Sequence, residues 1–259
     1  MRIDLHNHTT RCNHATGTME EYIQRAIELG IDTYGFSEHA PMRFDPHYRL
    51  SFEEMKEYET DVLNLREKYH SEIEILLGYE VDFLKGYLDR RVLDRPVDYF
   101  IGSVHFLNQW GFDNPEFIGE YQNRDIDLIW QEYFDAIEAM AKMGYFDIVG
   151  HLDLIKVFKF LPKKDIRSIA HKALKAIKHA NMVIELNAAG LRKPIGEIYP
   201  SPLLLEVAYE LDIPITFSSD AHAIEQIGFK YNEVTALAKE IGYTKAVTFK
   251  QRERKMVIF

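Results

Sequence analysis

The sequence has one cysteine, Cys12, so no disulfide can form within the chain and a small disulfide-stapled framework is excluded. It has no run of about 20 apolar residues, which removes a membrane-spanning helix and with it a membrane partner. Arg2 and Asp4 precede no apolar segment, so the layout of a secretory leader is missing. A reducing, cytoplasmic setting is the resulting expectation. Positive charge is scarce as well: 31 Lys and Arg stand against 41 Asp and Glu, a formal net charge of -10. Nucleic acid is therefore not expected as a partner, because no basic excess is available to displace counterions from its backbone. Bound divalent cations would still make one pocket positive on an acidic protein, a setting for a small anionic substrate.

What is present suits a large core. With 46% hydrophobic and 13% aromatic residues over 259 positions, the chain has the size and apolar content of a single α/β barrel domain spanning residues 1–259. Strand-like runs are expected at 2–8, 31–37, 73–81, 97–106, 146–150, 182–187 and 213–219. Helical spacing falls between them at 19–29, 51–69, 125–143, 163–180, 203–211 and 224–241, with a short helix at 86–93. An irregular insertion is expected at 108–123, a long loop at 188–202, and short extended pieces at 246–249 and 256–259. Alternation of strand and helix, repeated about seven times, argues for parallel strands joined by helical crossovers.

The residues able to bind metal fall at the ends of these strands. His6 and His8 are two apart on the first, so a period of two sets both imidazoles on one side. His14 follows six residues after His8. Later strands end in Glu38-His39, Glu80, His105, His151 and Asp220-Ala221-His222. One histidine alone is more commonly a core residue with a satisfied partner; His6, His8, His14, His39, His105, His151 and His222 share one topological position, which argues the other way. His47, His70, His171 and His179 fall in a loop or on helices and read as surface or cap residues. Glu80 and Asp220 follow apolar runs, where a lone carboxylate is costly to bury, so each needs either a cation or an ion pair with Lys or Arg. Glu38 reads as a partner of a ligand or as facing solvent, and Cys12 as a loop cysteine near metal or a thiolate ligand. An open doubly wound sheet feeds its site from few strands; ligands at six strand ends call for closure into a barrel.

Taken in order, Asp4-Leu5-His6-Asn7-His8 with His14, Ser37-Glu38-His39-Ala40-Pro41, Gly78-Tyr79-Glu80-Val81-Asp82, Gly102-Ser103-Val104-His105, Gly150-His151-Leu152-Asp153 and Ser219-Asp220-Ala221-His222 resemble the successive motifs of the PHP (polymerase and histidinol phosphatase) superfamily. The loop from Leu186 to Lys193, continuing through Tyr199-Pro200-Ser201-Pro202, further resembles its stand-alone histidinol-phosphate phosphatase branch. The resemblance implies a distorted seven-stranded (β/α) barrel of TIM-like type with its site at the C-terminal ends of the strands. It also implies three divalent metal ions: His6, His8, Glu80 and Asp220 around one; His14, His39 and His222 on a second; His105 and His151 on a third, with Glu80 bridging the first and third. Zinc, iron and manganese all suit imidazole and carboxylate ligands.

Such a cluster would supply a metal-bound hydroxide, held by His6, His8, Glu80, Asp220 and His222, to attack a phosphate monoester in line. Phosphate recognition is expected from Arg192, then Lys156, then Arg11, since guanidinium grips phosphate through two nitrogens at once. Loops 42–50 and 108–123 either cover the pocket and meet the leaving alcohol or are plain surface excursions. The expected activity is hydrolysis of L-histidinol phosphate to L-histidinol and phosphate in histidine biosynthesis. The alternatives are a PHP-type phosphoesterase acting on nucleotides or nucleic-acid ends, and a non-catalytic metal-binding module.

Overall fold

A computed structural model describes residues 1–259. Its elements follow in the order β1 (Ile3–Asp4), α1 (Met19–Glu28), β2 (Thr33–His39), α2 (Met55–Lys68), β3 (Glu74–Asp82), α3 (Arg90–Leu93) and β4 (Tyr99–Ser103). Then come β5 (Phe106–Leu107), β6 (Trp110–Gly111), α4 (Ile126–Lys142), β7 (Ile148–Val149), α5 (Ile166–His179), β8 (Val183–Asn187), α6 (Pro202–Glu210), β9 (Ile215–Ser218), α7 (Tyr231–Ile241), β10 (Lys245–Lys250) and β11 (Glu253–Ile258). Local chemistry sets the boundaries. Thr18 starts α1 through a reciprocal cap, accepting the Glu21 N–H while the Glu21 carboxylate accepts the Thr18 N–H at 2.7 Å. No helix is long and apolar enough to cross a membrane.

Seven strands pair in parallel in the order β1-β2-β3-β4-β7-β8-β9. The two ends of the sheet meet: Leu5 N–H donates to Phe217 O at 3.0 Å, His8 N–H donates to Ala221 O at 3.0 Å, and Asn7 bridges Ala221. The result is the expected TIM-like α/β barrel, distorted where β1 is short. The alternation over residues 2–8 predicts a longer strand than the two residues found. Past Asp4 the chain divides its hydrogen bonds, because Ser37 N–H reaches Asn7 O on the β2 side while His8 turns to Ala221 beyond β9.

Barrel closure depends on what fills the middle. Tyr99 points inward, its hydroxyl donating to Leu5 O at 2.6 Å. A Cβ on Gly35 would lie 2.0 Å from that hydroxyl and one on Gly78 2.6 Å from the ring, so both strands must present glycine there. Ile3, Leu5, Leu76, Ile101, Ile148, Val183 and Ile215 complete the inner core, while Tyr58, Phe100, Trp130, Phe134 and Ile177 pack between sheet and helices.

The C-terminal pieces are more than short extended segments: β10 and β11 form an antiparallel hairpin from Lys245↔Ile258 to Lys250↔Glu253. It closes the N-terminal end of the barrel. Phe249 packs 5.8 Å from the Tyr99 ring, and Arg252 N–H donates to Asp98 O at 2.9 Å, just ahead of β4. Fully burying a side chain such as Phe249 stabilises by about 1.5–3 kcal/mol. With that end sealed, the opposite mouth is left for chemistry. The expected irregular insertion at 108–123 is partly ordered, with β5 and β6 as a tight hairpin followed by a 3-10 turn over Pro115–Gln122.

Candidate metal centre

Parallel pairing sets the ligands before their side chains are considered. His39 lies opposite Glu80 in the β2–β3 register, so both project from the same face of the sheet into the mouth of the barrel. Asp220 and His151, just beyond β9 and β7, take positive φ angles of 51° and 21°, which non-glycine residues seldom adopt and which strand ends at working sites tolerate. Glu185 holds His151 there, its Oε1 accepting the His151 N–H at 2.6 Å.

Glu80 is the centre of the arrangement. Its Oε2 stands 3.3 Å from His6 Nε2, 3.6 Å from His8 Nε2 and 2.7 Å from His39 Nδ1. Its Oε1 stands 3.0 Å from His151 Nε2 and 3.7 Å from His105 Nε2. Asp220 Oδ1 lies 3.3 Å from His8 Nε2, 4.0 Å from His6 Nε2 and 3.6 Å from His222 Nδ1. His222 stacks on His8 at 4.1 Å and on His14 at 4.6 Å, with His14 exposed at the rim. The nine candidates therefore meet in one place.

Their grouping differs in one respect from the expected partition. His6, His8 and Glu80 lie within mutual ligand reach, as do Glu80, His105 and His151. His39 and His222 share that reach with His8, whereas His14 and His222 share it with the Cys12 sulfur. Cys12 is buried and its thiol donates to Thr9 O at 3.1 Å; burial pushes its pKa up to about 12.

Acidic side chains behind the cage orient it. His6 Nδ1 meets Glu185 at 2.9 Å, His105 Nδ1 meets Asp82 at 2.5 Å, and His8 Nδ1 meets Glu38 at 3.4 Å. Each such bond puts the proton on Nδ1 and turns the Nε2 lone pair inward. Glu38 does not face solvent: it is fully buried and also accepts the Thr9 N–H at 2.8 Å. Sequence reasoning left Glu185 and Asp82 without a role. Their signals were a carboxylate inside the apolar run Met182–Asn187 and an acid two residues after Glu80 on the same strand face.

Electrostatics follow from this packing. Burial raises the Glu80 pKa, but His6, His39 and His105 outweigh it and hold the carboxyl well below its ordinary 4.5. Burial lowers His105, yet Asp82 and Glu80 overcome that and raise it to about 10. His39 is pushed down to about 4 by burial and by His8. The donor set fits metal ions: His6 Nε2, His8 Nε2, His222 Nε2 and Glu80 Oε2 are buried with no hydrogen-bond partner, although they point at one another.

The centre opens into a cavity of about 610 Å³. Arg192 lines it, at the end of a 3-10 turn (Ala188–Arg192) begun by Asn187, whose side chain accepts the Ala189 N–H at 2.8 Å. Its Nη2 donates to Ser219 O at 2.9 Å and Asp220 O at 3.0 Å, leaving Nη1 buried without a partner. The other two phosphate candidates are corrected. Lys156 is buried away from the cavity lining, its ammonium 2.9 Å from Asp153 and 2.6 Å from Glu197 and donating to Ile198 O at 2.7 Å. Arg11 turns toward α2, pairing with Asp61 at 2.6 Å and Glu57 at 3.1 Å. Nearness to a ligand in the chain does not set the direction of a long side chain. Both loops do reach the cavity: Asp45, Tyr48 and Arg49 from the first, Gly111, Asp113 and Phe117 from the second.

Comparison with known proteins agrees with this geometry. A protein of Deinococcus radiodurans named a probable histidinol-phosphatase is 36% identical, covering 96% of this chain and 97% of its own. The Bacillus subtilis histidinol-phosphatase is 28% identical over 88% of this chain and 96% of its own. In fold, the chain is similar to the crystal structure of histidinol phosphate phosphatase from Lactococcus lactis complexed with zinc, L-histidinol and phosphate, at a TM-score of 0.81 and 21% identity over 98% of both chains. Residues 204–241 match the PHP-associated family. Residues 4–189, which carry seven of the nine cage residues, all but Asp220 and His222, match the PHP domain, and the chain belongs to that family.

Proposed function

We propose that this protein is a metal-dependent phosphoric monoester hydrolase that converts L-histidinol phosphate to L-histidinol and phosphate. The observation that carries the reading is the meeting of nine imidazole and carboxylate side chains beside the unpaired guanidinium nitrogen of Arg192. The names of the Deinococcus and Bacillus relatives support the substrate, and the zinc bound by the Lactococcus protein supports the cofactor. We assign His6, His8, Glu80 and Asp220 to one ion, His105 and His151 with Glu80 to another, and His14, His39 and His222 to a third, with zinc, iron and manganese as candidates.

Divalent ions held there would make hydroxide available near neutral pH and draw charge from phosphoryl oxygens. The chain's own residues prepare for this. Glu185, Asp82 and Glu38 fix the imidazoles in place, so little reorganisation is left for the reaction. Arg192 binds the phosphate through Nη1, and its Nη2 bonds to the Ser219 and Asp220 carbonyls keep it aimed at the cage. Tyr48, Phe106 and Phe117 on the rim exclude water around the leaving alcohol. The setting we infer is the cytoplasm, supported by a chain with one cysteine and hence no disulfide of its own.

The test is phosphate release by metal-stripped protein reconstituted with zinc, iron or manganese, from histidinol phosphate, nucleoside monophosphates and an aryl phosphate. Metal-dependent release with the highest kcat/KM on histidinol phosphate is expected. Release from nucleotides alone, or undiminished turnover by the stripped protein, would overturn the reading.

A further inference from the structure

The carboxylates lining the cavity are Asp45, Glu80, Asp82, Asp113 and Asp220. All but one are engaged. Glu80 and Asp220 face the imidazoles, Asp82 lies between His105 and Arg49, and Asp45 pairs with Arg49 at 3.5 Å. Asp113 has no side-chain hydrogen bond or ion pair, and burial raises its pKa against the lowering influence of the His105 and His151 rings.

It is not a loose surface acid. The preceding Phe112 is fully buried, edge-on to Tyr133 at 5.4 Å, and its N–H donates to His105 O at 3.3 Å. On the other side, Asn114 N–H donates to Gly111 O at 3.2 Å and the Asn114 side chain accepts the Glu116 N–H at 2.9 Å. The carboxylate is thus presented at a fixed point on the cavity wall. A charge held half-desolvated with no partner is complete only when a guest supplies the opposite charge.

Its place tells which part of a guest. Asp113 comes from the excursion after β4 and Arg192 from the turn after β8, with β7 and its His151 between them. Arg192 and Asp113 line the same cavity, so an ester held by its phosphate at Arg192 has Asp113 in the wall as the unengaged acid available to its alcohol part. We propose that Asp113 receives an ammonium group on the carbon next to the ester carbon, which makes the cavity selective for phosphate esters of 2-amino alcohols. This rests on the phosphatase reading above and narrows its substrate class. Phe106 and Phe117 offer apolar surface to the remainder of the alcohol.

Two esters differing only in the amine test it: L-histidinol phosphate and 3-(imidazol-4-yl)propyl phosphate. A hydrogen bond to a charged group corresponds to about 10- to 100-fold, so the wild type should favour the aminated ester by about that factor in kcat/KM. Asp113→Asn should abolish the preference through KM on the aminated ester, leave the other ester unchanged, and keep full metal content. Equal losses on both esters, metal loss in the variant, or a wild type without preference would overturn the assignment. Release of phosphate from neither ester would count against the phosphatase reading instead. Calorimetric titration with L-histidinol in the presence of phosphate then decides Asp113 separately: weaker binding by Asp113→Asn supports it and unchanged binding sinks it.

Discussion

Glu185 Oε2 stands 2.9 Å from Nδ1 of His6, and both side chains are buried. The carboxylate is itself fixed, because its Oε1 accepts the His151 N–H and lies 2.9 Å from the Asn187 amide. One acid behind the cage therefore orients one imidazole through its ring and another through its backbone. Glu185→Gln keeps the shape but makes His6 a weaker base. We expect a loss of about 10- to 100-fold in metal affinity, measured by competition with a chelator. Wild-type affinity in the variant would remove Glu185 from this role.

Arg192→Ala tests the phosphate grip. Its Nη1 is buried and unpartnered, while Nη2 is already spent on two carbonyls. Losing charge-assisted hydrogen bonds to phosphate should raise KM about 10- to 100-fold, with metal content retained. Loss of metal instead would mean that the guanidinium serves to hold the Asp220 segment.

Lys156 is expected to matter for folding. Its ammonium satisfies Asp153, a fully buried carboxylate, and Lys156→Met leaves that charge uncompensated at a cost of about 3–5 kcal/mol. A lower denaturation midpoint checks this. Unchanged stability with a selective rise in KM would restore the phosphate-binding role.

Much of the cage was legible before the structure, because each ligand closes an apolar run and strand period two aligns His6 with His8. The partners behind it were harder to read. Asp82 and Glu185 announce themselves as buried acids, but only barrel closure tells which imidazole each one meets. Arg11 and Lys156 failed for another reason: a long cation reaches in any direction, and α2 offered Arg11 two carboxylates while Asp153 and Glu197 took Lys156. The terminal hairpin turns through Gln251 and Arg252 at φ 50° and 70°, residue types that give none of the usual asparagine or glycine signal for such a turn.

The cage also predicts how metal-free protein responds to pH. Burial lowers His8 and His105, but Asp220 and Glu38 raise the first to about 9, and Asp82 and Glu80 raise the second to about 10. A raised folded-state pKa contributes stability that is complete below the ordinary 6.5 and is lost as pH climbs through 9 to 10. His39 has the opposite sign: held down to about 4, it remains neutral in the fold while the unfolded chain takes up protons, so stability falls as pH drops from 6.5 toward 4. Metal-free protein should therefore be most stable near pH 6.5. With metal bound, the imidazoles are already deprotonated by ligation, and the alkaline decline should disappear. Melting temperatures of chelator-stripped and metal-loaded protein across this range check both statements. A stripped protein that gains stability from pH 7 to 9 would contradict the coupling between these histidines and the acids around them.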